Sequence, residues 1–184
     1  NQNLFPPGHG YRHNTIGSMA DLDAASLADV KRWFTDNYGP NNAVLVLAGD
    51  IDAPTARKLV ERYFGAIPRG PRVAPVPDGP VTLKAPVSLV HKDRVATTRI
   101  SRSWSTPGLN DLSSVPLEAG VSVLGGLSSS RLDNALVRDE KVAVSVSADF
   151  GVFQSVGILT LSADVRPGVS PDLVARRMDE VIAG

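Results

Sequence analysis

Apolar side chains recur at helical spacing from Leu27. Leu27, Val30, Phe34 and Tyr38 share one face, with Trp33 beside them, and this pattern predicts an amphipathic helix. Ser26 is a fitting N-cap, and Asp29 three residues on makes a variant of the capping box. Gly39-Pro40 stops the helix. The next pattern is different: Ala43–Ala48 is a continuous apolar run, short enough for a buried strand that Gly49-Asp50 would end. Pro54 then opens a second helix, in the first turn where its missing N–H costs nothing. Ala56, Leu59, Val60, Tyr63, Phe64 and Ile67 give that helix its apolar face. Residues 1–22, broken by Pro6-Pro7-Gly8, Gly10 and Gly17-Ser18, read as loop.

From Pro68 to Pro86 the pattern is interrupted, since six of the 14 prolines fall within these 19 residues. That composition favours an extended, semi-rigid connector. Beyond it, Val87–His91 and Thr97–Trp104 read as strands. In the second, Thr98, Ile100, Arg102 and Trp104 face one way and Arg99, Ser101 and Ser103 the other. Two helices follow, over residues 114–124 and 129–139, joined through Gly125-Gly126. Val142–Phe150 and Val156–Val165 read as an antiparallel pair with Gly151 near the turn, and Ser170-Pro171 opens a last helix. The order β-β-α-α-β-β-α lacks βαβ alternation and predicts an α+β fold, with helices packed on a mostly antiparallel sheet. The expected division is a first domain over 1–70, a proline-rich linker over 71–86 and a second domain over 87–184.

Composition narrows the functional classes. With 42% apolar residues, the 184-residue chain can bury a core. Nineteen acidic and 19 basic residues cancel, so nucleic acid or an anionic membrane is not the expected partner. No stretch approaches the roughly 20 apolar residues of a bilayer span. The absence of cysteine excludes disulfides, thiolate metal sites and a cysteine nucleophile. Asn1–Gly8 has neither the basic nor the apolar region of a signal peptide, and the chain opens without Met. A segment of a longer protein is therefore expected.

Few residues offer chemistry. His9 and His13 stand four apart, a metal-binding spacing on a helix, but the prolines and glycines around them make a loop the better reading. His91 has no close partner in the sequence. No G-x-S-x-G elbow occurs. Ser128-Ser129-Ser130 precedes a helix and reads as a helix–helix turn with serine caps, although free N–H groups there can hold an anion. Asp50 and Asp52 follow the first predicted strand, where paired carboxylates can bind a divalent cation and Asp52 can equally cap the next helix. Arg131 and Arg138 share a helical face; they can grip a carboxylate or pair with Asp133, Asp139 and Glu140.

The succession of segments is more specific than any single one. Leu4-Phe5-Pro6, Gly8-His9-Gly10-Tyr11 and Thr15-Ile16-Gly17-Ser18 come first. Phe34, Tyr38 and Gly39-Pro40-Asn41-Asn42-Ala43 follow, then Val46, Gly49-Asp50 and Tyr63-Phe64-Gly65-Ala66-Ile67-Pro68. Leu124-Gly125-Gly126, Ser129-Ser130-Arg131-Leu132, Leu136 and Arg138 complete the set. In order and spacing, over nearly the whole chain, this resembles pitrilysin-type (insulinase-like) zinc metallopeptidases, most of all the processing-peptidase-like bacterial members.

The resemblance implies the metallopeptidase-like α/β-roll and a parent that hydrolyses peptides with zinc inside a clamshell of paired domains. The family's His-x-x-Glu-His motif, which holds zinc with a further Glu, does not occur in this sequence. In the family it lies before the segment matched here. The implied role is part of the chamber wall, without catalytic or metal residues, inactive alone and working beside a companion peptidase-like domain or subunit. The alternative is a piece of a non-catalytic family member acting as a structural or partner subunit. Arg138 matches an arginine that contacts substrate in the family's C-terminal units. The tyrosine that accompanies it is replaced by Val144, which cannot donate a hydrogen bond. Bacterial relatives imply the periplasm, with the cytoplasm as the alternative.

Overall fold

A computed structural model describes residues 1–74 and 78–184. Pro75 and Pro77 of the proline-rich connector lie outside the described residues. The chain divides into two compact units: Asn1–His13 with Pro77–Gly184, and Asn14–Val76.

The larger unit is built on a sheet of three antiparallel strands in the order β1-β3-β2: β1 (Arg99–Pro107), β2 (Ala143–Val152) and β3 (Val156–Val165). The α+β expectation therefore holds. β3 is central, and its odd-numbered residues from Leu159 to Val165 enter the core while Thr160 and Asp164 point the other way. The same alternation stands in the sequence, Leu159-Thr160-Leu161-Ser162-Ala163-Asp164-Val165. Helix α4 (Ser114–Val121) continues as a wider π-helical segment, Ser122–Gly126, and a second π-helical segment spans Asp133–Asp139. Together with α5 (Pro171–Ala183) they pack on one face of the sheet. Leu132, Leu136, Leu161, Val174 and Met178 are fully buried there.

Two ion pairs fasten α5 from outside. Arg102 of β1 chelates Asp179 at 2.9 and 3.0 Å, and Arg177 meets Glu140 just beyond the second π-helical segment. The bond from Arg177 holds the Glu140 carboxyl below the usual carboxylate range. Lys141 then takes a left-handed conformation (φ 54°), and the Val142 N–H returns to the Leu136 carbonyl, closing the helix end. The β2–β3 turn is Phe153-Gln154-Ser155, with Gly151 near it inside β2, opposite Ile158. Residues 1–13 fold back on the later part of the connector: Phe5 is 1% exposed, and the Gly10 N–H donates to Asp78 at 2.6 Å.

The smaller unit holds α1 (Met19–Ala24), α2 (Leu27–Asn37) and α3 (Ala53–Phe64). The capping box of α2 forms in full: Ser26 accepts from the Asp29 N–H and Asp29 from the Ser26 N–H. Asp52 caps α3 by accepting from the Thr55 N–H at 2.8 Å. α1, capped by Ser18, was not expected in a stretch that reads as loop. Asn41 explains the Gly-Pro-Asn-Asn turn: its side chain accepts from the Gly70 N–H at 2.8 Å and donates to the Pro71 carbonyl at 3.2 Å. No residue of α2 or α3 is buried.

Two expected strands do not form. Ala43–Ala48 and Val87–His91 are irregular, and Val44, Val46 and Val90 are 80–93% exposed. An apolar run becomes a strand only when another strand takes its N–H and C=O groups. Among the described residues the sheet consists of β1, β3 and β2 alone.

Candidate functional site

Helices cover one face of the sheet, and the other face is polar. The register fixes its membership. Arg99, Ser101 and Ser103 of β1 stand opposite Asp164, Ser162 and Thr160 of β3. Ser145, Ser147 and Asp149 of β2 stand opposite the same three β3 residues from the other side. Period-two alternation puts all nine on one side, away from the apolar core. Cross-strand hydroxyl pairs run through it, Ser101 with Ser162 at 2.9 Å and Ser103 with Thr160 at 3.0 Å.

Charge on this face is largely internal. Arg99 donates through Nε and Nη2 to the two oxygens of Asp164 at 2.8 and 3.0 Å, and the Ser145 hydroxyl donates to Oδ2 at 2.8 Å. Bonding from Arg99, then from Ser145, holds the Asp164 carboxyl below its usual range against the opposing effect of burial. A carboxylate depressed in the folded state contributes stability above its unfolded value, about 3.9, and loses it as pH falls through the folded value. Asp164→Asn is therefore expected to cost about 1 kcal/mol at pH 7 and progressively less below pH 4. Urea unfolding of both proteins at pH 7 and pH 3 measures this; an equal gap at both values rules the ion pair out as the cause.

Val144 sits where the β2–β3 register slips between Ala143 and Ser145. Such a bulge leaves one residue outside the ladder, and Val144 is half-exposed. Arg138 lies on the second π-helical segment, where its Nε donates to Asp133 Oδ2 at 2.8 Å and its Nη2 to the Ser128 carbonyl at 2.5 Å. Of the two readings open in the sequence, pairing with Asp133 is the one formed in this chain. Ser130 is buried, and its Oγ has no partner among the described residues. The sheet face itself was only partly legible: alternation marked Arg99, Ser101 and Ser103, but the partners on β2 and β3 come from register.

Among the described residues no three His, Asp or Glu side chains come together in a metal-binding group. Both ring nitrogens of His9 are engaged by backbone, with the Tyr11 N–H at 3.2 Å and the Gly79 carbonyl at 3.0 Å. Asp52 is occupied as a helix cap. No helix among the described residues is long and apolar enough to cross a membrane.

Residues 24–183 match the family described as "Peptidase M16 inactive domain". The chain is 25% identical over 178 residues to the zinc protease PqqE of Helicobacter pylori, covering 92% of this chain and 39% of that protein. It is 27% identical over 177 residues to an uncharacterized zinc protease of Mycobacterium leprae, covering 95% of this chain and 40% of that one. The chain thus spans about two fifths of the length of these curated relatives. In fold it is similar to the crystal structure of a peptidase M16 inactive domain from Pseudomonas fluorescens, with a TM-score of 0.76 at 21% identity, over 99% of this chain and 44% of that one.

Proposed function

This chain belongs to the peptidase M16 family as an inactive domain, and from that premise we propose that it forms a zinc-free wall of a peptide-cleaving chamber. The observation that carries the reading is the open sheet face. Its hydroxyls lie beside an Arg99–Asp164 pair that neutralises itself, and Asp149 has no ion-pair partner among the described residues. Such a surface stays wet and offers many hydrogen bonds with little net charge, which suits an extended peptide of varied sequence. Zinc and the activated water belong, in this reading, to a companion peptidase-like domain of the whole protein. That companion also covers the apolar faces of α2 and α3, where Trp33, Phe34, Tyr63 and Phe64 are about half-exposed or more. We further propose Arg138, paired here with Asp133, as a peptide contact of the whole protein, by its match to the family's arginine.

The test is a cleavage assay with a quenched fluorescent, unstructured peptide. The 184-residue chain alone is expected to be inactive with or without zinc, and the whole protein active with zinc. Ser103→Trp, which blocks the middle of the open face, is expected to lower kcat/KM of the whole protein about tenfold, ~1.4 kcal/mol of transition-state binding. Full activity in Ser103→Trp, or zinc-dependent cleavage by the isolated chain, overturns the reading. Val144 favours a second reading, a non-catalytic subunit, because the matching family position carries the substrate-binding tyrosine. A whole protein that holds no zinc and cleaves nothing supports it.

A further inference from the structure

We propose that the cavity between residues 2–12 and 81–84 is a subsite for the C-terminal carboxylate of a bound peptide whose last residue is apolar. The class of ligand rests on the peptide-chamber reading, but the test below reads binding alone, so the subsite can fail while that reading stands. The cavity lies wholly within the larger unit and measures about 480 Å³, in the range of small-ligand sites.

Its lining has two characters. Phe5, Pro6, Val81 and Leu83 supply apolar surface, and Arg12 and Lys84 supply two positive charges. No lining residue is acidic. Neither cation joins an ion pair among the described residues. A cavity of this kind favours an anion with an apolar body. Arg12 is held by its own bonds: Nη1 donates to the Gln2 and Phe5 carbonyls, while Nε and Nη2 make no hydrogen bond among the described residues. Those two remaining N–H groups form the fork that donates to both oxygens of a carboxylate. Lys84 adds a second charge on a long stem.

The backbone of the second wall favours a peptide over other anions. Residues 82–84 belong to no helix or strand, and their N–H and C=O groups have no partner among the described residues. An extended chain laid beside them can take those bonds. A C-terminal residue presents a carboxylate, an apolar side chain and a peptide group together, matching the cations, the apolar wall and the open backbone. An inorganic anion uses the cations alone, and a fatty acid uses the cations and the apolar wall.

The two walls are set in place before a ligand arrives, which lowers the cost of binding. The Gly10 N–H donates to Asp78, His9 Nε2 lies 3.0 Å from the Gly79 carbonyl, and the Val81 N–H donates to Ser105 Oγ on β1 at 3.0 Å. The buried Phe5 ring is backed by His9, with centroids 4.6 Å apart. Ser105 shares its side of β1 with Arg99, Ser101 and Ser103. The subsite therefore borders one end of the open sheet face.

The experiment titrates N-acetyl-alanyl-alanyl-leucine, as the free acid and as the carboxamide, into the isotope-labelled 184-residue chain and follows amide chemical shifts. The free acid is expected to shift the amides of Arg12 and residues 82–84. It is also expected to bind about tenfold more tightly than the carboxamide, the scale of hydrogen bonds to a charged group. Lys84→Gln is expected to weaken the acid about threefold, the scale of an exposed ion pair, and to leave the carboxamide unchanged. Lys31→Gln, which removes a charge from α2 of the smaller unit, is expected to behave as the parent. Hexanoate, which lacks a peptide group, is expected to bind more weakly than the peptide acid. Equal affinity for acid and carboxamide overturns the proposal, as does the absence of binding or a set of shifts centred elsewhere. Hexanoate binding as tightly as the peptide acid overturns the peptide as occupant. The comparison of ligands on the unsubstituted chain decides the matter even if Lys84→Gln fails to fold.

Discussion

Replacing Leu161 with Ala is expected to destabilise the larger unit by about 3 kcal/mol, within the range for a Leu→Ala truncation in a packed core. Leu161 is fully buried at the middle of the central strand, with Arg102 opposite on β1 and Ala148 opposite on β2. Its side chain belongs to the cluster formed by Leu132, Leu136, Val174 and Met178. Ala148 is too small to move into the space, and β3 is held on both edges, so the cavity persists. The urea-unfolding midpoint, followed through Trp104 in a Trp33→Phe background, reports the loss. Val144→Ala is the control: half-exposed at its bulge, it is expected to change stability by less than about 0.5 kcal/mol. Similar shifts for the two substitutions mean that the core is not centred on β3.

Gly108→Ala is expected to cost about 2–3 kcal/mol although it adds a single methyl group, the scale of overpacking against a rigid neighbour. A Cβ at Gly108 would lie 2.5 Å from Ser155 C and Val156 N, and 2.8 Å from the Phe153 carbonyl oxygen. All three are backbone atoms of the β2–β3 turn and the start of β3, so no side chain can rotate away. The chain approaches this closely because the Leu109 N–H donates to the Phe153 carbonyl at 2.8 Å. The same turn receives Tyr11, so Gly108→Ala is expected to loosen the N-terminal segment as well. Gly120→Ala should have the opposite sign. Nothing lies within 4 Å of a Cβ there, and Ala exceeds Gly in helix propensity by about 1 kcal/mol. Thermal unfolding of the pair separates the effects, and equal melting points refute the close approach at Gly108.

These two sites differ in how visible they are in the sequence. Leu161 stands in an apolar run that reads as a strand, whereas nothing around Gly108 announces that a turn 45 residues away will press on it. The same contrast holds for the candidate site. Alternation in β1 marks one polar face, but only register sets Asp164 between Arg99 and Ser145. Arg138 stands out through its motif, and its bonds to Asp133 and Ser128 depend on how the π-helical segment turns. The motif Gly8-His9-Gly10-Tyr11 helps to signal family membership, while the contact of the His9 ring with the Gly79 carbonyl joins positions 70 residues apart.

By itself the sequence determined what neighbouring residues can settle among themselves. The capping box of Ser26 and Asp29, the cap at Asp52, the helical faces of α2 and α3 and the period of β1 all involve partners within a few positions. It also determined the family, because ordered motifs over nearly the whole chain survive whatever the tertiary packing does. Only the tertiary structure decided which apolar runs become strands. Ala43–Ala48 and Val156–Val165 are both rich in strand formers, yet the first is irregular and exposed and the second is the centre of the sheet. The reason is physical: a helix satisfies its own backbone, whereas a strand exists only where another strand accepts its hydrogen bonds.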